Sequence, residues 1–209
     1  MLLFIQVILI DMIRFLFPVL SLLLLSEEEL RFTNTYKQGY DSSCGIAVTA
    51  TLLNTYWQIP ITEAELYNDM IINRYDKETE TVNYTVSFLN ISDYLSTKGI
   101  QARAYKMNWT TLEEMLGKGF EPIIIHYNKP NPHFALLIHI YDNFAFVADP
   151  AKGFELVERK RFEKNYSGNA LLTASRTAQK DIERIENIKT EGTKKIKTLQ
   201  NLSHIKGRR

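Results

Sequence analysis

The chain has 209 residues, 45% of them hydrophobic and 23% charged, with a net charge of +1. That is enough apolar material for one sizeable core, so a single domain with extensions is expected. The near-zero charge gives no strong field to draw nucleic acid to the whole surface, so no nucleic-acid partner is expected, and the single cysteine, Cys44, excludes both an internal disulfide framework and a multi-cysteine metal site.

Residues 1–25 are almost wholly apolar, broken by Gln6, Asp11 and Arg14, and a signal or anchor is expected over 1–26. Arg14, the run Phe15 to Leu25 and then Ser26-Glu27-Glu28-Glu29 follow the order of an export signal: positive charge, apolar core, polar exit. With Ile5 to Ile10 included the stretch is also long enough to anchor in a membrane, with Asp11 and Arg14 as its costly positions. A signal peptide or membrane anchor is therefore expected, with the body of the chain outside the cytoplasm. A buried apolar helix is the plainer alternative.

Ile46, Ala50, Leu53 and Trp57 share a helical stripe, so a helix is expected from about Cys44 to Gln58, ahead of Pro60. Thr62 and Glu65 form a capping box that opens a second helix to about Ile72. A third runs from Ser87 to Lys98 and is closed by Gly99. The period then changes. Residues 100–107 alternate like a strand, Thr110 to Leu116 reads as a short helix, and residues 122–127 form the continuous apolar run of a buried strand. Residues 133–140 and 144–149 flank Tyr141-Asp142-Asn143 as an antiparallel hairpin, Gly153 opens another strand, and a last apolar run covers Ala170 to Thr173. Helices first and strands after predict an α+β domain over residues 30–174, with a helical lobe followed by an antiparallel sheet lobe. Residues 175–209 read as a polar, basic tail, solvated or disordered. Ile182, Ile185 and Ile188 allow a short amphipathic helix that stops before Gly192. Contact of this tail with anionic lipid or a partner is the weaker option.

Cys44 stands in QGYDSSCG, after the turn Asp41-Ser42-Ser43 and at the start of a helix. Capping oxygens are expected from the turn, and the helix dipole favours a thiolate at that position. Gly45 would leave room for a substrate backbone. A lone cysteine in a helix can equally be a core residue. A nucleophile needs a base. His204 lies in the tail, while His126 and His139 lie within apolar strands and read as packing residues. His133 opens a strand after Asn128-Lys-Pro-Asn-Pro132, where an imidazole can face a cleft. Asp149 ends the partner strand, so antiparallel pairing brings the two together and Asp149 can orient the base. As a plain turn initiator, Asp149-Pro150 needs no function. Gln38, six positions before Cys44, can place its amide over the helix start and join the Cys44 N–H in an oxyanion hole.

Gln-x5-Cys-Gly opening a helix, a distant His-Phe opening a strand and Asp-Pro-Ala-x-Gly beyond it resemble the papain-like peptidases that process double-glycine leader peptides. These are best known as the N-terminal domain of bacteriocin-exporting ABC transporters (cysteine peptidase family 39). Phe162 and Gly168 match the family's closing pattern. The resemblance covers about Asn34 to Thr173. It implies the papain-like fold and the roles Cys44 nucleophile, His133 base, Asp149 orienter and Gln38 oxyanion donor. It also implies a peptide substrate with small residues such as Gly-Gly before the scissile bond. Ser43 departs from the acid usual before the cysteine, and a stand-alone member without a transporter is expected. Transglutaminases and NlpC-type peptidases share the Cys–His logic but place the two residues closer in sequence. The expected activity is that of a cysteine peptidase needing no metal or organic cofactor. A non-hydrolytic peptide-binding module and a thiol acyltransferase on the same triad are its rivals.

Overall fold

The computed structural model describes residues 26–40, 43–71, 75–76, 81–82, 86–175 and 178–206. The apolar segment 1–25, with the signal or anchor expected there, lies outside the described residues, as do Asp41 and Ser42. Among the described residues no helix is long and apolar enough to cross a membrane.

Local chemistry starts each helix. Ser26 caps α1 (Glu27–Phe32) in a capping box with Glu29, and the three glutamates meet the positive end of the helix dipole. α2 (Cys44–Thr51) continues into a π-helical turn, Leu52–Trp57, that ends at Gln58 in the left-handed region. The expected helix thus keeps its limits but widens in its second half. Thr62 with Glu65 starts α3 (Glu63–Met70). A two-residue hairpin pairs β1 (Tyr75–Asp76) with β2 (Thr81–Val82). Ser87 with Asn90 starts α4 (Phe88–Thr97), and Gly99, at φ 74°, turns the chain out of it.

The remaining strands are β3 (Ala102–Lys106), β4 (Ile123–Tyr127), β5 (His133–Tyr141), β6 (Phe144–Asp149), β7 (Gly153–Glu158) and β8 (Tyr166–Thr173). α5 (Trp109–Gly117) follows β3, and α6 (Arg159–Asn165) joins β7 to β8. The six form one antiparallel sheet in the order β3-β8-β4-β5-β6-β7. α6 was not expected from the sequence: Phe162 is its only buried residue, so it leaves almost no apolar period to read. β8 also starts earlier than the apolar run at Ala170, because its first four residues are only partly buried.

Both faces of the sheet are covered. Ile124, Leu136, Phe146 and Leu171 face the core shared with α2, α3 and α4, while Ile125, Leu137, Val147 and Leu172 face the core under α5 and α6. The strict alternation of β5 breaks between Leu137 and His139, where a register shift against β6 sends Ile138 to one core and Ile140 to the other. The helical lobe followed by an antiparallel sheet lobe, as the sequence predicts, is the observed architecture. α2 packs directly on β5, which brings the front of the chain to the base of the hairpin.

The C-terminal segment corrects the expectation of a solvated tail. It forms α7 (Gln179–Lys206), a helix of 28 residues that passes through Gly192 instead of stopping there. Ile185, Ile188, Ile196 and Leu199 are buried. A Cβ on Gly192 would lie 2.3 Å from Cζ of the fully buried Phe146 ring. The glycine is therefore the point of closest approach between α7 and the sheet, not a helix stop. Lys189, only 5% exposed, sits 2.8 Å from both Glu121 Oε1 and Glu186 Oε1. Burial works against its charge, but the two carboxylates prevail and hold its pKa above the ordinary value. Gly192→Ala should gain helix propensity, about 1 kcal/mol in an unobstructed helix. Overpacking against Phe146 should outweigh that gain and leave a net loss of about 1–2 kcal/mol. Urea unfolding should show it as a lower midpoint at unchanged slope; a raised midpoint would refute the contact.

Candidate active site

Cys44 is the first residue of α2 and is half-buried. Ser43 occupies the N-cap position, but its side chain does not cap the helix as expected. Its hydroxyl instead donates to the Tyr40 carbonyl at 2.9 Å and accepts from the Tyr40 N–H at 3.1 Å, closing the preceding turn on itself. The helix start thereby keeps donors for other work, and the Gly45 N–H bonds the Cys44 sulfur. Gly45 does not leave room for substrate as expected. It is buried, and a Cβ there would meet Val86 Cγ1 at 2.8 Å and Phe134 Cδ2 at 3.3 Å. Its small size lets α2 approach β5.

His133 opens β5, where its imidazole is close enough to the Cys44 sulfur for each to favour the other's charged form. Its Nε2 lies 2.9 Å from Asp149 Oδ1. Nε2 being committed to the carboxylate, Nδ1 is the nitrogen left for the thiol. The register Leu136↔Ala148 sets Asp149 beside Ala135, so the bond to His133 is the diagonal contact two residues along the same face. Asp149 is fully buried; the Ala151 N–H donates to its Oδ1 at 2.8 Å, and Lys152 Nζ lies 3.3 Å from Oδ2. Cys44, His133 and Asp149 are therefore brought into one connected row.

The electrostatics of the row are consistent within it. Burial pushes the Cys44 thiol up, but bonds from His133 and from the Phe134 and Gly45 N–H groups outweigh it, and the pKa falls below its ordinary value. Burial likewise opposes charge on His133, yet Asp149 and Cys44 raise its pKa to about 9. For Asp149 the same contest ends with a lowered pKa, through His133 and Lys152. These shifts favour the charged form of all three groups: thiolate and imidazolium stabilise each other, and the imidazolium stabilises the carboxylate.

Gln38 is tied to the same row from the other side: its N–H donates to the Pro150 carbonyl at 2.9 Å, next to Asp149. Its side-chain Nε2 donates to the Tyr40 carbonyl at 3.2 Å, while its Oε1 is buried without a hydrogen-bond partner among the described residues. The amide nitrogen carries two hydrogens and the Tyr40 bond uses one.

The other histidines do different things. His126 packs among Phe88 and Phe134, and burial together with the charge on His133 lowers its pKa, so it stays neutral. His139 pairs through Nδ1 with Glu121 at 2.8 Å, away from the cysteine. His204 lies in α7, and its side chain is outside the described residues. Sequence reasoning missed the Phe134 N–H as a donor to the sulfur.

The Peptidase C39 family model matches residues 33–178, most of the chain and all of this row. The chain belongs to the Peptidase C39 family. It is 27% identical over 143 residues to the "Probable functional amyloid protease FapD" of Pseudomonas aeruginosa, a match covering 68% of this chain and 61% of that relative. The chain thus spans less than two thirds of the length of the curated relatives it matches first. Among solved structures, the double glycine motif protease of an AMS/PCAT transporter in complex with the leader peptide aligns with a TM-score of 0.56 at 22% identity. That alignment covers 68% of this chain and 91% of the other. The peptidase domain of Streptococcus ComA aligns with a TM-score of 0.55 at 20% identity, over 68% of this chain and 98% of that one. At these identities the structural likeness establishes the fold, which is the papain-like fold the sequence resemblance implied.

Proposed function

We propose that the protein is a cysteine peptidase that cuts extended peptides by acyl transfer to Cys44. The observation that carries this reading is the row Cys44–His133–Asp149, in which His133 is bonded to Asp149 and adjoins the thiol, with the thiol pKa lowered and that of the imidazole raised. The thiolate adds to the scissile carbonyl carbon, and the carbonyl oxygen becomes an oxyanion. Gln38, through its second amide hydrogen, and the Cys44 N–H receive that oxygen. The C–N bond then breaks as His133 gives its proton to the departing amine, leaving a thioester on Cys44. Water, giving up a proton to His133, attacks the thioester; the acid leaves and the thiol returns. Asp149 holds the imidazole in the orientation both steps require. All of the chemistry is supplied by these side chains and water.

Small residues such as Gly-Gly before the scissile bond are the proposed preference, on the family resemblance and the likeness to a protease solved with a leader peptide. The apolar run Phe15 to Leu25 with Arg14 before it supports work outside the cytoplasm. Membrane association would come through that same segment. A peptide-binding module needs no thiolate–imidazolium pair, which is why hydrolysis is preferred.

The test is an internally quenched peptide library with Gly-Gly fixed before a varied position, read by fluorescence and by product mass. Wild type should release products whose masses sum to the substrate plus one water. Cys44→Ala should lose about a thousandfold or more in kcat/KM. Cleavage that survives in Cys44→Ala, or binding of the library without cleavage by wild type, would overturn the peptidase. Products carrying an added amine in place of water would make the protein a transferase.

A further inference from the structure

Beside the row lies a cavity of about 460 Å³ that the chemistry described so far leaves unused. His133 forms part of its wall, together with Tyr127, Lys129, Lys152, Glu155 and Arg161; Cys44 does not reach it. In the sheet Tyr127 stands directly opposite His133. Tyr127 is only 7% exposed, and its hydroxyl is buried with no hydrogen-bond partner among the described residues. A buried phenol without a partner costs about 1–3 kcal/mol, so it is normally retained where something comes to meet it. Burial, with Glu155 and Asp149 nearby, pushes its pKa well up, and the group is a hydrogen-bond donor at any ordinary pH.

The wall carries an excess of positive charge. Glu155 is the one carboxylate in it and lies 3.5 Å from Lys152 and 3.9 Å from Arg161. Lys152 also serves Asp149. Lys129 has no ion pair among the described residues. A donor-only phenol, an uncommitted ammonium and a guanidinium whose contact with Glu155 is long together make a site for a carboxylate.

The position of the cavity fixes which part of a peptide can reach it. His133 hands its proton to the amine that leaves, so the residues after the scissile bond lie on the imidazole side of the sulfur. We infer that this cavity selects a carboxylate on the leaving-group side of the substrate, through Tyr127, Lys129 and Arg161. The inference rests on the peptidase reading for its polarity, but the cavity's preference for a carboxylate stands on its own geometry. The carboxylate has two sources: an Asp or Glu side chain, or the C-terminus of a peptide that ends close after the cut.

The experiment uses internally quenched peptides with Gly-Gly before the cut and Glu, Gln or Lys at each of the first three positions after it. Each is made with an amidated and with a free C-terminus. At one position Glu should exceed Gln about tenfold in kcat/KM, and Lys should be poorest. Arg161→Met and Lys129→Met should each cut the Glu/Gln ratio several-fold, and Tyr127→Phe should lower it too while the Gln/Lys order is kept. If only the free C-terminus raises the rate, the terminal carboxylate is the ligand. A Glu/Gln ratio of one throughout, with cleavage intact and no effect of the C-terminus, overturns the cavity and leaves the peptidase standing. The same labelled peptides are titrated by anisotropy into Cys44→Ala. Preferential binding of the Glu or free-carboxylate peptides that Arg161→Met abolishes, without cleavage by wild type, keeps the cavity and removes the peptidase. Absence of such preference in both measurements overturns the inference.

Discussion

His133→Ala should slow alkylation of Cys44 by iodoacetamide at pH 6 severalfold or more. In the native row the thiol pKa is lowered and the imidazole pKa is raised to about 9. The ion pair is therefore populated above the lowered thiol value and lost as pH rises through about 9, where the imidazolium gives up its proton. Without the imidazole the thiol returns toward ~8.5, and burial, now less opposed, pushes it further up. At pH 6 only about one thiol in several hundred is then ionised. The low-pKa thiolate of the wild type is the weaker nucleophile of the two, which trims the difference but does not cancel it. The two pH–rate curves should approach each other above pH 9. A variant that labels at the wild-type rate at pH 6 would show that His133 does not hold the thiolate. Asp149 adds a second check: with Asn in its place the wild-type plateau should end at a lower pH, because the imidazolium loses the carboxylate that stabilises it.

Removal of residues 179–209 should destabilise the domain severely. Four apolar side chains of α7, at Ile185, Ile188, Ile196 and Leu199, are buried. At about 1.5–3 kcal/mol for each buried side chain, their loss is comparable to the ~5–15 kcal/mol that holds a whole domain folded. Polar ties go with them: Arg184 Nη1 donates to the Tyr56 carbonyl at 3.0 Å, and Lys189 pairs with Glu121. Glu121 would then keep only His139 among the partners seen in the intact chain. The shortened chain should unfold at a much lower urea concentration, or fail to give a cooperative transition. An unchanged midpoint would mean that α7 is the solvated extension its composition suggests. The π-helical turn at Leu52–Trp57 also packs against α7, so the loss should reach the helix that carries Cys44.

These two outcomes divide along what could be read from residues alone. Thr62 with Glu65 announces its helix because a capping box is a contact between residues three apart. The row Cys44–His133–Asp149 was legible for a related reason. The cysteine marks a helix start, the histidine and aspartate bracket one hairpin, and hairpin register is a local property. By contrast, Ser43 reads as a cap and instead bonds back to Tyr40, and Gly45 reads as space for substrate and is filled by Val86 and Phe134. Both depend on what packs against the turn, which no neighbour in sequence reports.

Most of the helices and strands of residues 44–173 and the meeting of Cys44, His133 and Asp149 follow from contacts over short spans, and the papain-like class from a motif that survives as a pattern. That Gly192 lies inside a helix, that Lys189 is buried against Glu121, and that Tyr127, Lys129 and Arg161 share one cavity beside His133 emerge from packing between distant parts of the chain. A polar helix such as α7 has a weak apolar period, and its stability comes from the surface it covers. A glycine that would break an isolated helix is kept there because the Phe146 ring leaves no room for a side chain.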